Sequence, residues 1–270
     1  MINTNISIGQ YIPGNSIIHK ADPRTKIILS VVFMVVIFMV NSFWTFVGIT
    51  LFTILAVFIS GVPLKYTLKG LKPLLFIIIF SAVLNMFATK GTPVADFIPL
   101  KYITVEGLVL SLKLTVRLAL FIISSSLLTF TTTPILLTDG IEKLLNPLKV
   151  IGIPAHELAM MMSIALRFIP TLLEETDKIM KAQAARGADF DTGNLVQRAK
   201  SFVPVLVPLF ISAFRRADEL ATAMESRCYR GGKGRTRLRQ LKFTTSDLKI
   251  AGTVIVFFAI LLVNDYTGII

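Results

Sequence analysis

Long apolar runs alternate with short polar links along this chain, and the runs are long enough to form membrane-spanning helices. The pattern predicts five spans, at residues 27–40, 43–60, 73–88, 107–130 and 250–263. Because Asn41 and Ser42 alone separate the first two, we expect a tight helical hairpin there. Lys113 and Arg117 interrupt the fourth span in its outer half, where we expect their side chains to snorkel to the membrane surface; the alternative is a pairing role with another part of the protein.

The connection between the fourth and fifth spans is about 110 residues long, which is too long for a simple loop. Its pattern predicts three helices, at residues 134–146, 154–186 and 194–229. We expect the second helix to be bent or interrupted near Pro170 and the third to be disturbed at Pro204 and Pro208. Both long helices begin with an apolar half and finish with a polar half, which favours a position that starts at the membrane and ends in water.

The distribution of lysine and arginine predicts the orientation of the spans. Three basic residues precede the first span, and three more, without any acid, occupy the link between the second and third: Lys20, Arg24 and Lys26, then Lys65, Lys69 and Lys72. Residues 134–245 hold 17 of the 28 basic residues. We therefore expect a cytoplasmic N-terminus, a cytoplasmic 134–245 segment and an external C-terminus.

Composition agrees with a membrane protein, since 54% of the residues are hydrophobic and 16% are charged. We expect an all-α fold with about five spans in three parts. These are the N-terminal tail with spans one to four (1–133), a cytoplasmic helical domain (134–245), and the last span with the external C-terminus (246–270). The single cysteine, Cys228, excludes a disulfide within the chain. The polar first 25 residues do not resemble a cleavable signal peptide.

The two long helices of the 134–245 segment carry a shared pattern, D-x-[IL]-x-x-A-x-x-x-R, that ends at Arg186 and Arg227. An alanine lies four residues before each arginine on the same helical face, Ala182 in one helix and Ala223 in the other. A single arginine near a helix end is common, because a cation favours the negative end of the helix dipole. The repetition favours a second interpretation, in which two equivalent helix ends bind two equivalent sites on partner molecules.

Several stretches make the chain resemble the transmembrane T component of energy-coupling factor transporters, a group that includes the cobalt-transport Q-type subunit. These stretches are DPRTKI at 22–27, ALRFIPTLLEE at 165–175, AQAARG at 182–187 and RRADELATAMESRCYRGG at 215–232. They are spread over nearly the whole chain. The resemblance implies two crossing coupling helices that dock on two ATP-binding-cassette ATPases through arginine-centred tripeptides.

Matched residue by residue, the implied ATPase-binding residues are Ala185, Arg186 and Gly187 in one helix and Ser226, Arg227 and Cys228 in the other. The second tripeptide departs from the family's Ala-Arg-Gly pattern at both flanking positions. The arginine is retained, and serine and cysteine take the two flanking positions. A guanidinium suits an acidic groove, because its planar fork donates paired hydrogen bonds to carboxylates.

The apolar first halves of the same helices are too short to span and too apolar for water. We expect them to lie at the inner leaflet and to dock a separate substrate-binding membrane subunit, the S component. The candidate docking residues are Met160, Met161, Met162, Leu206 and Phe210.

The resemblance predicts a non-enzymatic coupling subunit for uptake of vitamins or another micronutrient; the alternatives are a secondary transporter and a membrane-embedded lipid-modifying enzyme. We expect no catalytic residue, cofactor or metal, because no His or Cys cluster and no phosphate-binding glycine loop occurs. A basic run precedes the last span: Arg230, Lys233, Arg235, Arg237, Arg239 and Lys242. It contains no aromatic residue and lies near the membrane, so we expect lipid headgroups rather than nucleic acid as its partner.

Overall fold

The computed structural model of the chain describes residues 11–92, 104–152, 154–190, 192, 194–231, 241 and 243–267. These parts of the chain are built from α-helices: α1 (Ile17–Lys20), α2 (Pro23–Met39), α3 (Phe43–Ser60), α4 (Leu64–Leu71), α5 (Leu75–Ala88), α6 (Val105–Thr131), α7 (Pro134–Leu145), α8 (Ala155–Ala185), α9 (Leu195–Ser201), α10 (Val203–Ser226) and α11 (Thr245–Thr267). Short 3₁₀ helices occupy Lys72–Leu74 and Asn146–Ile151. The predicted all-α fold class is confirmed.

Two compact units make up the chain. The span unit comprises Gly9–Gly140 with Leu241–Ile270, and the helix-pair unit is built from Ile141–Gln240. The span unit holds α1 to α6 and α11, whereas the helix-pair unit holds α8, α9 and α10.

Five helices within the described residues are long and apolar enough to cross a membrane: α3, the run Leu64–Ala88 that contains α4 and α5, α6, α8 and α11. The predicted first span corresponds to α2, which has 17 residues and lies at the short end of the range for a membrane span. The apolar stretch of α8 has a mean hydropathy of 1.2, against 1.9 to 2.1 for the other four. By mean hydropathy, α8 is the least apolar of the five helices.

The third span begins earlier than predicted, because the link before it is helical and Lys65 and Lys69 lie on α4. The disturbance predicted at Pro204 is observed: the 194–229 segment is interrupted at Phe202, which separates α9 from α10. Pro204 explains the break, because its ring has no N–H to donate and collides with the carbonyl four residues earlier. Pro208, by contrast, lies inside the continuous helix α10.

The core of the span unit surrounds α2. Its buried side chains come from α2, α3, α6 and α11: Phe33, Val36, Ile37, Val40, Phe46, Ile49, Leu120 and Phe258. The rings of Phe33 and Phe258 lie 5.6 Å apart between centroids, which joins the first span of the sequence to the last. Large hydrophobic side chains elsewhere on these helices are exposed, as expected for surfaces that face lipid or another subunit.

The DPRTKI stretch fastens the start of α2 to two other helices. The Asp22 side chain caps α2, accepting from the Arg24 backbone N–H at 2.9 Å, and the Asp22 backbone N–H donates to Asp247 of α11 at 2.9 Å. Lys26 donates through Nζ to the Thr131 carbonyl at the end of α6, also at 2.9 Å. Within the part of the chain described, this motif therefore has a structural role.

The two basic residues of α6 do not simply snorkel. Lys113 Nζ donates to the Asn41 carbonyl at 2.9 Å, and an Arg117 guanidinium nitrogen donates to the Val40 carbonyl at 2.7 Å. These carbonyls lie just past the C-terminal end of α2, where the last turn of a helix leaves acceptors unsatisfied and the helix dipole is negative. The structure therefore gives both cations a protein partner at a nearby helix end, which is the pairing role that the sequence left as the alternative to snorkelling.

Candidate functional site

The end of α8 places Arg186 at the helix C-cap, with Gly187 next in the left-handed conformation at φ 89°. The Gly187 N–H donates to the Ala184 carbonyl and the Ala188 N–H to the Gln183 carbonyl, each at 3.0 Å. This pair of bonds is the Schellman motif, which satisfies the last helical carbonyls with backbone donors.

The end of α10 repeats the same backbone geometry. Arg227 is the C-cap at φ −91° and ψ 14°, close to the φ −89° and ψ 7° of the first arginine. Cys228 adopts the left-handed conformation at φ 56°, and its N–H donates to the Glu225 carbonyl at 2.8 Å. The Tyr229 N–H donates to the Met224 carbonyl at 3.0 Å. The cysteine thus occupies the glycine position of the motif, where a side chain carries a steric cost.

Both arginine side chains are exposed, and each follows a small exposed residue, Ala185 in one case and Ser226 in the other. The carbonyls that an arginine would otherwise cap already accept from backbone N–H groups. Helix capping therefore does not require the guanidinium groups. An exposed guanidinium between small residues can enter an acidic groove and donate two parallel hydrogen bonds to a carboxylate.

The residues upstream of each arginine differ in their contacts. Asp177 pairs with Lys181 one turn further along α8, at 2.7 Å, whereas the matching Asp218 of α10 is exposed. The aliphatic positions of the shared pattern, Ile179 and Leu220, are both half-buried. The apolar position of the repeat is thus partly covered in both helices.

α8 and α10 run antiparallel. Near one end, the Gln183 side chain of α8 donates to the Pro204 carbonyl of α10 at 3.4 Å. Near the other end, the Tyr229 hydroxyl just past α10 donates to the Met160 sulfur of α8 at 3.0 Å. The two arginines therefore lie at opposite ends of the helix pair.

One polar contact between α8 and α10 was not among the site residues predicted from the sequence. Arg216 of α10 donates to Glu175 of α8 at 2.8 Å, and the Ser212 hydroxyl donates to the other carboxylate oxygen of Glu175. The sequence did carry a signal for this pair. Glu175 lies eleven residues before Arg186 and Arg216 eleven residues before Arg227, so the alignment of the two helices already placed opposite charges at matched positions.

The predicted S-component docking residues are mainly on the surface. Met161, Met162, Leu206 and Phe210 are 45% to 60% exposed, whereas Met160 is half-buried under the Tyr229 hydroxyl. The first four can therefore meet another molecule directly. In the basic run before the last span, Arg230 is described and exposed; Lys233, Arg235, Arg237, Arg239 and Lys242 lie outside the described residues.

Comparison with known proteins gives consistent matches over nearly the whole chain. Residues 14–238 match the family CbiQ, cobalt transport protein. The chain is similar to the energy-coupling factor transporter transmembrane protein EcfT of Ruminiclostridium cellulolyticum, with 60% identity over 97% of this chain and 98% of that relative. The EcfT of Thermosediminibacter oceani is also 60% identical, over 90% of this chain and 91% of its own length. The EcfT of Bacillus subtilis is 49% identical over 94% and 96% of the two chains.

Proposed function

The chain belongs to the family of energy-coupling factor transporter transmembrane proteins, and we propose that it joins two ATP-binding-cassette ATPases to a separate substrate-binding membrane subunit. It is a multi-pass membrane protein and a transmembrane component of such a transporter. In this proposal the partner ATPases hydrolyse ATP, and this chain is a non-catalytic coupling subunit for vitamin or other micronutrient uptake.

The observation that carries the proposal is the equivalence of the two arginine ends. Arg186 and Arg227 share one backbone motif, are both exposed and lie at opposite ends of an antiparallel helix pair. Two matching ends suit two partners with the same kind of groove, such as two related ATPases. The flanking residues Ala185, Gly187, Ser226 and Cys228 would line the entry of each helix end into its groove.

A carboxylate in each groove would give the docking contact its strength. The guanidinium donates two parallel, charge-assisted hydrogen bonds to a carboxylate, which a lysine ammonium cannot do. If the contact is buried by the partner, removing the arginine leaves an unpaired acid and costs about 2 to 5 kcal/mol.

The first halves of α8 and α10 would supply the surface for the substrate-binding subunit. The lower hydropathy of α8 supports a position against the inner leaflet rather than across the membrane. On this surface Met161, Met162, Leu206 and Phe210 make the direct contacts with the subunit, and the half-buried Met160 packs beneath the surface. Methionine suits such a surface, since its flexible side chain adapts to partners of different shape.

The proposed orientation places the N-terminus and residues 134–245 in the cytoplasm and the C-terminus outside, with residues 1–133 and 246–270 forming the membrane part. The excess of lysine and arginine in the 134–245 segment supports this arrangement. It places both arginine ends on the side of the membrane where ATP is available.

Replacement of the two arginines tests the proposal. The variants Arg186→Ala, Arg227→Ala and the double variant are co-expressed with the ATPases and the substrate-binding subunit, and two quantities are measured: ATPase retained in membranes and uptake of a radiolabelled vitamin into vesicles. We expect each single variant to reduce both ATPase retention and vitamin uptake in part, and the double variant to abolish nearly all of both. Arg215→Ala, an exposed arginine elsewhere on α10, is the matched control. Near-normal values for the double variant would overturn the proposal, and uptake by the chain without ATPases would support a secondary transporter.

A further inference from the structure

We propose that Glu175 and Arg216 form the fixed point of the α8–α10 pair and thereby set the separation between Arg186 and Arg227. We assign both a positioning role, because they contact each other across the helix pair. The inference rests on the proposed function, in which the two arginines dock on two ATPases at the same time.

The contact joins matched positions of the repeat. Because Glu175 and Arg216 both lie eleven residues before an arginine end, their contact is equidistant from the two ends. Two antiparallel helices with a common pattern bring equal positions together near the local two-fold axis that relates them, and Glu175 is reached there by Ser212 and Arg216 of α10. Opposite charges at that position attract, whereas an identical pair of charges would repel.

The geometry of the contact supports a fixed point. Both carboxylate oxygens of Glu175 accept from α10, one from Arg216 at 2.8 Å and the other from the Ser212 hydroxyl. The two charged side chains are about one-third exposed or less, at 33% for Arg216 and 23% for Glu175. Two bonds to one carboxylate resist both sliding and rotation of one helix along the other.

The helix segments beyond the contact are suited to act as stiff arms. Residues 175–186 and 216–227 contain neither proline nor glycine, whereas Pro170 and Pro208 both lie before the contact, outside the arms. Eleven residues of α-helix measure about 16 Å, so the two arms together separate the arginines by about 33 Å. Equal arms place both docking points symmetrically about the ion pair.

Loss of the ion pair should therefore impair simultaneous docking more than docking at either end alone. A bivalent interaction gains its affinity from the correct spacing of its two contacts, and that gain is lost when the spacing varies. Charge reversal at one position should weaken binding of the second ATPase by about tenfold, with binding of the first nearly unchanged.

The separation can be measured by pulsed electron spin resonance on the isolated full-length chain. One nitroxide label occupies Cys228, the single cysteine of the sequence, and the other a cysteine introduced by Ala184→Cys at an exposed position. We expect a narrow distance distribution in the parent chain and a broad one in Glu175→Arg and in Arg216→Glu.

The double reversal Glu175→Arg with Arg216→Glu should restore the narrow distribution. Lys181→Ala breaks an ion pair within α8 alone and serves as the matched control.

Two results would overturn the inference: an unchanged distribution in both single reversals, or a double reversal as broad as the singles. If a reversal variant does not accumulate, Glu175→Gln provides the milder test and should broaden the distribution to a smaller degree. Native mass spectrometry with the ATPases then counts how many bind each variant. A parent chain that binds no ATPase would refute the proposed function, whereas the distance measurement would still decide whether the ion pair sets the separation.

Discussion

Gly187 and Cys228 occupy the same backbone position, one residue past the arginine at the end of α8 and α10, with positive φ angles of 89° and 56°. The sequence departs from the Ala-Arg-Gly pattern at this position, yet the structure keeps the turn. The cysteine therefore changes the side chain at this position but keeps the backbone conformation. Its left-handed conformation carries a steric cost that glycine does not have.

Substitutions at Gly187 and at Cys228 should change the stability of the protein in opposite directions. Cys228→Gly should stabilise the end of α10 and Gly187→Ala should destabilise the end of α8, each by about 1 kcal/mol, because glycine alone adopts this conformation without a steric cost. A Cβ at Gly187 meets no atom within 4 Å, so backbone strain is the expected cause there. Thermal unfolding in detergent measures both effects. Cys228→Ala is the control and should change little; equal melting temperatures for all variants would contradict the prediction.

Lysine at either arginine position should restore only part of the docking. Arg186→Lys and Arg227→Lys keep the charge but lose the planar fork, so we expect ATPase retention and vitamin uptake between those of the parent and of the alanine variants. Membrane retention of the ATPases, measured over a series of salt concentrations, gives the decisive comparison. Full activity of the lysine variants would show that charge alone is sufficient and would argue against a paired hydrogen bond.

A charge on the apolar surface of the helix pair should release the substrate-binding subunit and spare the ATPases. Met161→Asp or Leu206→Asp places a carboxylate on a side chain that is 54% or 46% exposed, and burial of that unpaired charge in an interface is costly. Co-purification of all subunits from one membrane sample measures both associations. Ala221→Asp, at an exposed position in the polar half of α10, is the control. The surface would be misassigned if Met161→Asp and the control retained equal amounts of the subunit.

Asp265 of α11 should stabilise the start of α3. Its carboxylate accepts from the Ser42 backbone N–H at 2.6 Å, while the Ser42 side chain makes no capping bond of its own. Since loss of a helix cap costs about 0.5 to 2 kcal/mol, Asp265→Ala should lower the melting temperature in detergent and Asp265→Asn should retain most of the stability. An alanine variant as stable as the asparagine variant would exclude this capping role.

The sequence by itself determined the type and approximate position of the main helices, because a long apolar run reflects a local requirement to meet lipid or core. It also determined the candidate site, since the matched residues before Arg186 and Arg227 repeat in the linear order of the chain. The sequence predicted a disturbance near Pro204, where the break at Phe202 occurs, but α8 and α10 continue through Pro170 and Pro208. The presence of a proline alone therefore did not distinguish a broken helix from a continuous one.

The tertiary structure alone decided which charged residues have partners. Lys113 and Arg117 bind carbonyls more than 70 residues away in sequence, and Glu175 meets Arg216 across two helices. Such pairs depend on the side-by-side arrangement of helices, which no local pattern encodes. The repeat placed opposite charges at equal offsets, but only the antiparallel packing of α8 on α10 brings them within hydrogen-bonding distance, because a 2.8 Å contact requires a particular register and rotation of both helices.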